Sequence, residues 1–159
     1  MNNNSQTEHN KTKPEPPLRP TALKNFKKTD DTLAKIVGNF WQLIWANKNP
    51  AIDQKTKYLL SLANAVGARR FRQATRELVK AYAAGTTAAE FDELFSLFVW
   101  NQGAGEFASE IGPSSLFGAY QMLKEMEANN AKREKIIDAL KMQFGEDNPD
   151  VATRFTESK

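Results

Sequence analysis

Between Asp30 and Gly145, large apolar residues recur every three or four positions and nowhere alternate, so helices are what this chain can build. The punctuation agrees. Asp30 or Asp31 is placed to cap a helix running to about Asn47, with Leu33, Ile36, Val37, Phe40 and Ile44 on one face and Pro50 beyond its end. Asp53 caps a second, whose Leu59, Leu62, Ala63 and Val66 keep helical spacing until Gly67. A third spans about residues 68–84, with Gly85 as its stop. Thr87-Ala88-Ala89-Glu90 has the form of a capping box, in which the threonine accepts from the Glu90 amide and Glu90 reaches back. The helix behind it carries Phe91, Leu94, Phe95, Phe98 and Val99 until Gly103-Ala104-Gly105 loosens it. Pro113-Ser114-Ser115 opens another with Leu116, Phe117, Tyr120 and Leu123. A last helix holds Ile136, Ile137, Leu140 and Phe144 and ends near Gly145. The expected class is all-α, a compact bundle of about six helices over residues 29–145.

Residues 1–28 read differently. Asn2, Asn3 and Asn4 lead into Pro14, Pro16, Pro17 and Pro20, a polar, proline-rich stretch that cannot bury enough surface to offset its ordering entropy. It is expected to be an extended or disordered arm, either solvated or wrapped on a neighbouring subunit through Leu18, Leu23 or Phe26. Residues 146–159 read as a polar tail. The net charge of +3 is concentrated in the arm, whose six basic and two acidic residues give +4 and leave −1 for the remainder. A nearly neutral body lacks the basic face that nucleic-acid binding uses, so nucleic acid is not an expected partner. The apolar runs are too short to cross a bilayer, and no apolar segment follows the N-terminal charges, so neither a membrane nor a signal peptide is expected, and a cytoplasmic location is. There is no cysteine, and the one histidine, His9, lies in the arm. Disulfides, thiolate catalysis and thiolate metal sites are thereby excluded, and no metal or cofactor is expected.

The third helix carries most of the candidate chemistry. At about 100° per residue, Phe71, Ala74, Leu78, Ala81 and Tyr82 share one arc and Arg69, Arg72, Gln73 and Arg76 the opposite one. Arg70 and Glu77 fall at the border, where a side chain is half-buried and can line a pocket. Four arginines within eight residues make a dense donor surface suited to carboxylate or phosphate. A solvated face or a subunit interface accounts for the same pattern, since acidic residues of a neighbour would serve Arg72 and Arg76 as well as a ligand would. A second polar cluster is Trp100-Asn101-Gln102-Gly103-Ala104-Gly105-Glu106. Asn101 and Gln102 beside glycines suit a small-molecule site, but a helix end with Trp100 in the core is the simpler account. The many large aromatics, Trp41 and Trp45 among them, point to core or subunit interface, and a homo-oligomer is expected.

The order Ala81, Gly85, Thr87, Glu90 resembles the downstream signature of the carboxymuconolactone decarboxylase-like (AhpD-like) family, and the likeness spans roughly residues 40–125. That family carries a Cys-x-x-Cys pair and a histidine on the helix before the glycine. By the same spacing, Arg70 and Gln73 stand at the two cysteine positions, Glu77 at the histidine and Tyr58 at an upstream proton-relay glutamate. The stretch Ile52-Asp53-Gln54-Lys55-Thr56-Lys57 resembles the lead into that relay helix. Without sulfur, peroxidase and disulfide-reductase chemistry fall away. The resemblance then implies a non-redox enzyme, a decarboxylase or isomerase on a small organic acid. Glu77 and Tyr58 would be its catalytic groups, and Arg69, Arg70, Gln73, Arg76, Asn101 and Gln102 would hold an anionic ligand. The alternative is a catalytically silent homo-oligomer that binds a ligand or a partner.

Overall fold

A computed structural model describes residues 22–145 of the chain, all the ordered elements of which are helical. In chain order these are α1 (Ala22–Thr29), α2 (Asp31–Trp45), α3 (Gln54–Gly67), α4 (Phe71–Ala83), α5 (Ala88–Gln102), α6 (Ala104–Glu106), α7 (Ser115–Ala128) and α8 (Arg133–Phe144). The six expected helices are present and two more join them. One is α6, a single turn that runs into a π-helical turn at Phe107–Ile111. The other, α1, lies inside the stretch expected to be extended. Its residues follow the last proline of the arm, and Lys27 and Lys28 sit in its final turn, where they complement the helix dipole. The boundary of the arm therefore moves back from 28 to 21, and the rest of the arm and the tail at 146–159 lie outside the described residues.

Side-chain caps set four of the eight starts. Asp30 accepts from the Leu33 amide at 2.7 Å, and Asp53 accepts from the Thr56 amide at 3.0 Å and from its hydroxyl at 2.5 Å. The expected box is formed: Thr87 Oγ1 accepts from the Glu90 amide at 3.2 Å, while Glu90 accepts from the Thr87 amide at 2.8 Å. Ser114 caps α7. The third helix starts later than its sequence suggests. Arg69 adopts a left-handed φ of 55° and Arg70 is an N-cap without a side-chain bond, so both belong to the turn between α3 and α4. The Arg70 amide closes that turn on the Ala65 carbonyl at 2.8 Å.

α4 is the centre of the bundle. It packs antiparallel on α3 and also against α7 and α8. From Glu77 to Tyr82 every residue is buried, whereas a surface helix would keep one side wet. Its Leu78, Val79, Ala81 and Tyr82 meet Tyr58, Leu62, Ala65 and Val66 of α3, Phe91, Phe95 and Phe98 of α5, Leu116 and Leu123 of α7, and Ile136 and Leu140 of α8 in one core. The Thr75 hydroxyl bridges the Phe71 carbonyl and the Ser115 hydroxyl, tying α4 to α7. The Arg133 guanidinium donates to the carbonyls of Tyr82 and Thr86 and covers the Tyr82 ring, fixing the start of α8. The α1–α2 pair is attached far more lightly. α2 buries no residue fully, and its end is held where Trp45 stacks on Tyr58 and Lys57 donates to the Ile44 carbonyl at 2.8 Å.

Candidate active site

The antiparallel α3–α4 hairpin sorts the candidate residues into two groups. Tyr58 lies nine residues before Gly67, about 14 Å along α3 from the turn, and Glu77 and Lys80 lie about 9 and 14 Å along α4 from Phe71. Arg69 and Arg70 stand at the turn. The acid, the lysine and the phenol stand near the other end.

At that end Glu77 is 6% exposed and Lys80 9%. Their ion pair, one helical turn apart, is 3.2 Å long. The ammonium lies beside two aromatic rings, 6.0 Å from the Trp45 centroid and 5.9 Å from that of Tyr58. The rings stack with centroids 5.1 Å apart and planes 17° apart. Burial pushes the Tyr58 phenol above its ordinary value of 10.0; a hydrogen bond with Gln54 opposes the rise and the Glu77 charge adds to it. Tyr58 is therefore a neutral donor across the physiological range. One carboxylate oxygen of the pair, Glu77 Oε2, is buried without a hydrogen-bond partner. An unsatisfied buried acceptor costs about 1–3 kcal/mol, and more when charged, so it is a place where a donor would be well received. The Thr86 hydroxyl is the other such atom among the described side chains, but it is uncharged.

Glu77 pairs with Lys80 and its charge acts on the Tyr58 phenol, so a carboxylate, an ammonium and a neutral phenol share one region: Glu77 can take a proton, Tyr58 can give or share one, and Lys80 can neutralise an anion. Two of these residues, Tyr58 and Glu77, are the expected catalytic pair, and the fold brings them together. Lys80 was missed. Its signal was present: Leu78-Val79-Lys80-Ala81-Tyr82 is an apolar run with one charge in it, and such a run in a central helix buries the charge with the rest. Trp45 and Gln54 come from separate helices and carry no sequence signal for this role.

The expected ligand-binding residues lie elsewhere. Arg70 is exposed rather than half-buried, because it caps a turn instead of continuing a helix. Arg69 is exposed and committed to Glu106 and Glu110, 3.0 Å from each, bracing the turn against α6 and the π-helical turn. Gln73 and Arg76 are half-buried on α4. Asn101 is exposed, and the Gln102 amide lies beside Gly67 at the turn end. Trp100, expected in the core, is 84% exposed. The core stripe of α5 is Phe91, Phe95 and Phe98, and Trp100 falls about half a turn away from it. Among the described residues no group of three or more His, Cys, Asp or Glu is placed to hold a metal ion, and no helix is long and apolar enough to cross a membrane.

Compared with family models, with curated proteins and with solved structures, the chain gives a match in none of the three.

Proposed function

We propose that the Glu77–Lys80–Tyr58 cluster is the acid–base centre of a non-redox enzyme acting on a small organic acid, of decarboxylase or isomerase type. The observation that carries this reading is Glu77 Oε2, a carboxylate oxygen with no partner, buried beside an ammonium and a neutral phenol. In this reading Lys80 receives the substrate carboxylate, Glu77 removes or returns a proton and Tyr58 orients the reacting oxygen. Perturbed or uncompensated groups of this kind concentrate at functional sites. Substrate would enter past Trp45, at the lightly held end of α2. The resemblance to the carboxymuconolactone decarboxylase-like frame supports the substrate class, and the missing thiols remove dithiol redox chemistry from it.

The test is a panel of small mono- and dicarboxylic acids, lactone acids included, scored for thermal stabilisation and for turnover. A binder should stabilise the wild type and fail to stabilise Lys80→Met. Turnover should fall by about 100-fold or more in Glu77→Gln, the usual worth of a general base. Stabilisation that survives Lys80→Met, or turnover that survives Glu77→Gln, would remove the centre from consideration.

A second reading, a homo-oligomer that binds without catalysis, is favoured by α2. Ile36, Phe40 and Leu43 are 61%, 63% and 67% exposed, with Leu33 and Ile44 beside them. An apolar helix face left in water is the usual mark of a subunit interface. Sedimentation of wild type and of Phe40→Glu with Leu43→Glu tests this, because a monomeric wild type refutes it.

A further inference from the structure

α5 has a second, outward face, opposite its buried phenylalanines. Glu93, Ser96, Leu97 and Trp100 follow one another there at helical spacing. Together with Asp92 they line a shallow groove of about 450 Å³. Leu97 is 53% exposed and the Trp100 indole is almost bare. Asp92 is already engaged, accepting from Lys124 Nζ at 2.8 Å and from the Tyr120 hydroxyl. Glu93 has no ion-pair partner among the described residues, so the groove offers one uncompensated acid beside an exposed aromatic surface.

The chain supplies a segment of matching chemistry. Residues 14–20 read Pro-Glu-Pro-Pro-Leu-Arg-Pro. In polyproline II geometry, with three residues per turn, the sequence spacing would put Pro14, Pro17 and Pro20 on one edge and Arg19 on the next. Proline-rich segments of this spacing dock on aromatic-lined grooves, because their φ angles are fixed beforehand and little entropy is lost on binding. Seven residues span about 22 Å in this form, enough to run the roughly 10 Å from Glu93 to Trp100. Charge agrees with shape. The one base of residues 14–20, Arg19, is the counterpart of the one uncompensated acid of the groove, Glu93, while Glu15 falls on a different edge from Arg19.

We propose that residues 14–20 of this chain occupy the α5 groove, with the proline edge against Trp100 and Leu97 and Arg19 paired with Glu93. The arm is then an interaction element with a defined seat on the folded body.

The absence of cysteine makes the test direct. In the full chain, Leu18→Cys is combined with Ser96→Cys and treated with a short bismaleimide; Asn4→Cys with Ser96→Cys is the control. The seated segment should crosslink about tenfold faster than the control, the effective-concentration advantage of a docked tether. Trp100→Ala and Glu93→Arg should each slow it by at least about fivefold, and Arg19→Glu added to Glu93→Arg should restore it. Glu93 and Trp100 are exposed, so unchanged helical circular dichroism shows these variants still fold. Mixing singly substituted chains identifies whether a chain's own segment or a neighbour's sits in the groove, and either result supports the assignment. Equal rates for Leu18→Cys and Asn4→Cys, or rates indifferent to Trp100→Ala and Glu93→Arg, overturn it. So does faster joining of Ser96→Cys chains to one another than to Leu18→Cys chains, which would put the body of a second copy in the groove.

Discussion

Lys80→Met tests whether Glu77 and Lys80 are a buried, interdependent pair. Methionine keeps the length of the lysine stem and its place beside Trp45 and Tyr58 but removes the charge that neutralises Glu77. Both side chains are about nine-tenths buried, at 11% and 7% exposed, so solvent screening does not rescue the stranded carboxylate. Breaking such a pair from one side costs about 3–5 kcal/mol. The lower figure is used here, because α2, which supplies the Trp45 cover, buries no residue fully. For a domain of roughly 120 residues, about 3 kcal/mol lowers the melting temperature by about 12 °C. Glu77→Leu alone strands the ammonium and should cost a similar amount. The double variant Glu77→Leu with Lys80→Met leaves no charge to strand, and should return to within about 1 kcal/mol of wild type or exceed it. Urea unfolding followed by circular dichroism measures all four proteins, with equal m values confirming one transition. Single variants costing less than about 1 kcal/mol, or a double variant whose loss is the sum of the two, would falsify the buried-pair reasoning.

The three tyrosines give a pH test. Burial raises all of them above 10.0, Tyr82 to about 12, where its hydrogen bond to Glu127 adds to the rise and Arg133 opposes it. A raised phenol stabilises the fold fully below pH 10 and loses that contribution as pH climbs through the folded value. Absorbance at 295 nm should therefore show little tyrosinate at pH 10 in the native protein and half-titration in urea; coincident curves would refute the burial of the phenols. At the acid side, Glu90, Asp92 and Asp53 are held below their ordinary 4.5, 3.8 and 3.8 by hydrogen bonds, led by Lys55, Lys124 and Thr56 respectively. Their contribution is complete above about pH 4.5 and disappears as pH falls through the lowered values, so a melting temperature flat from pH 5 to pH 2 contradicts it. Thr87→Ala removes one half of the capping box and should cost about 1 kcal/mol in urea unfolding, while Thr87→Ser should be nearly neutral. Leu78→Ala empties a fully buried position at the centre of α4 and should cost about 2–5 kcal/mol, whereas Leu97→Ala on the outward face of α5 should change stability by less than about 0.5 kcal/mol.

Local chemistry was the legible part of this fold. Asp30, Asp53, Thr87 with Glu90, and Ser114 start their helices as their side chains dictate, because a cap is decided within four residues. What depends on neighbours was less legible. α1 falls among residues whose composition argues for an arm, and its helix is paired with α2. Arg69 and Arg70 have ordinary helical propensity, yet the hairpin needs a turn there, and the left-handed Arg69 is held by backbone bonds and two glutamates from α6 and the π-helical turn. Trp100 was misplaced because size alone argues for burial, whereas the phase set by Phe91, Phe95 and Phe98 turns it outward. Of the candidate cluster, Tyr58 and Glu77 were named through a resemblance and Lys80 was not, because its burial follows from α4 being enclosed on several sides.

That enclosure bears on why the charges are there. A buried Glu–Lys pair adds little net stability, since two apolar residues of the same volume pack as well without desolvating ions. Within the central helix, the buried residues Leu78, Val79, Ala81 and Tyr82 that follow Glu77 and flank Lys80 take the apolar solution. Placing an acid and a base between them, with one carboxylate oxygen unpaired and a phenol kept neutral alongside, runs against folding alone. The arginines at the turn differ in this respect. Arg69 has both of its acidic partners in place and bridges two parts of the same fold, a sufficient structural role. Local conflicts with folding are expected where function imposes them, and in this chain the conflict lies at Glu77 and Lys80 rather than along the arginine face. A double variant more stable than wild type but unable to bind any carboxylate that wild type binds would join the two halves of that reasoning.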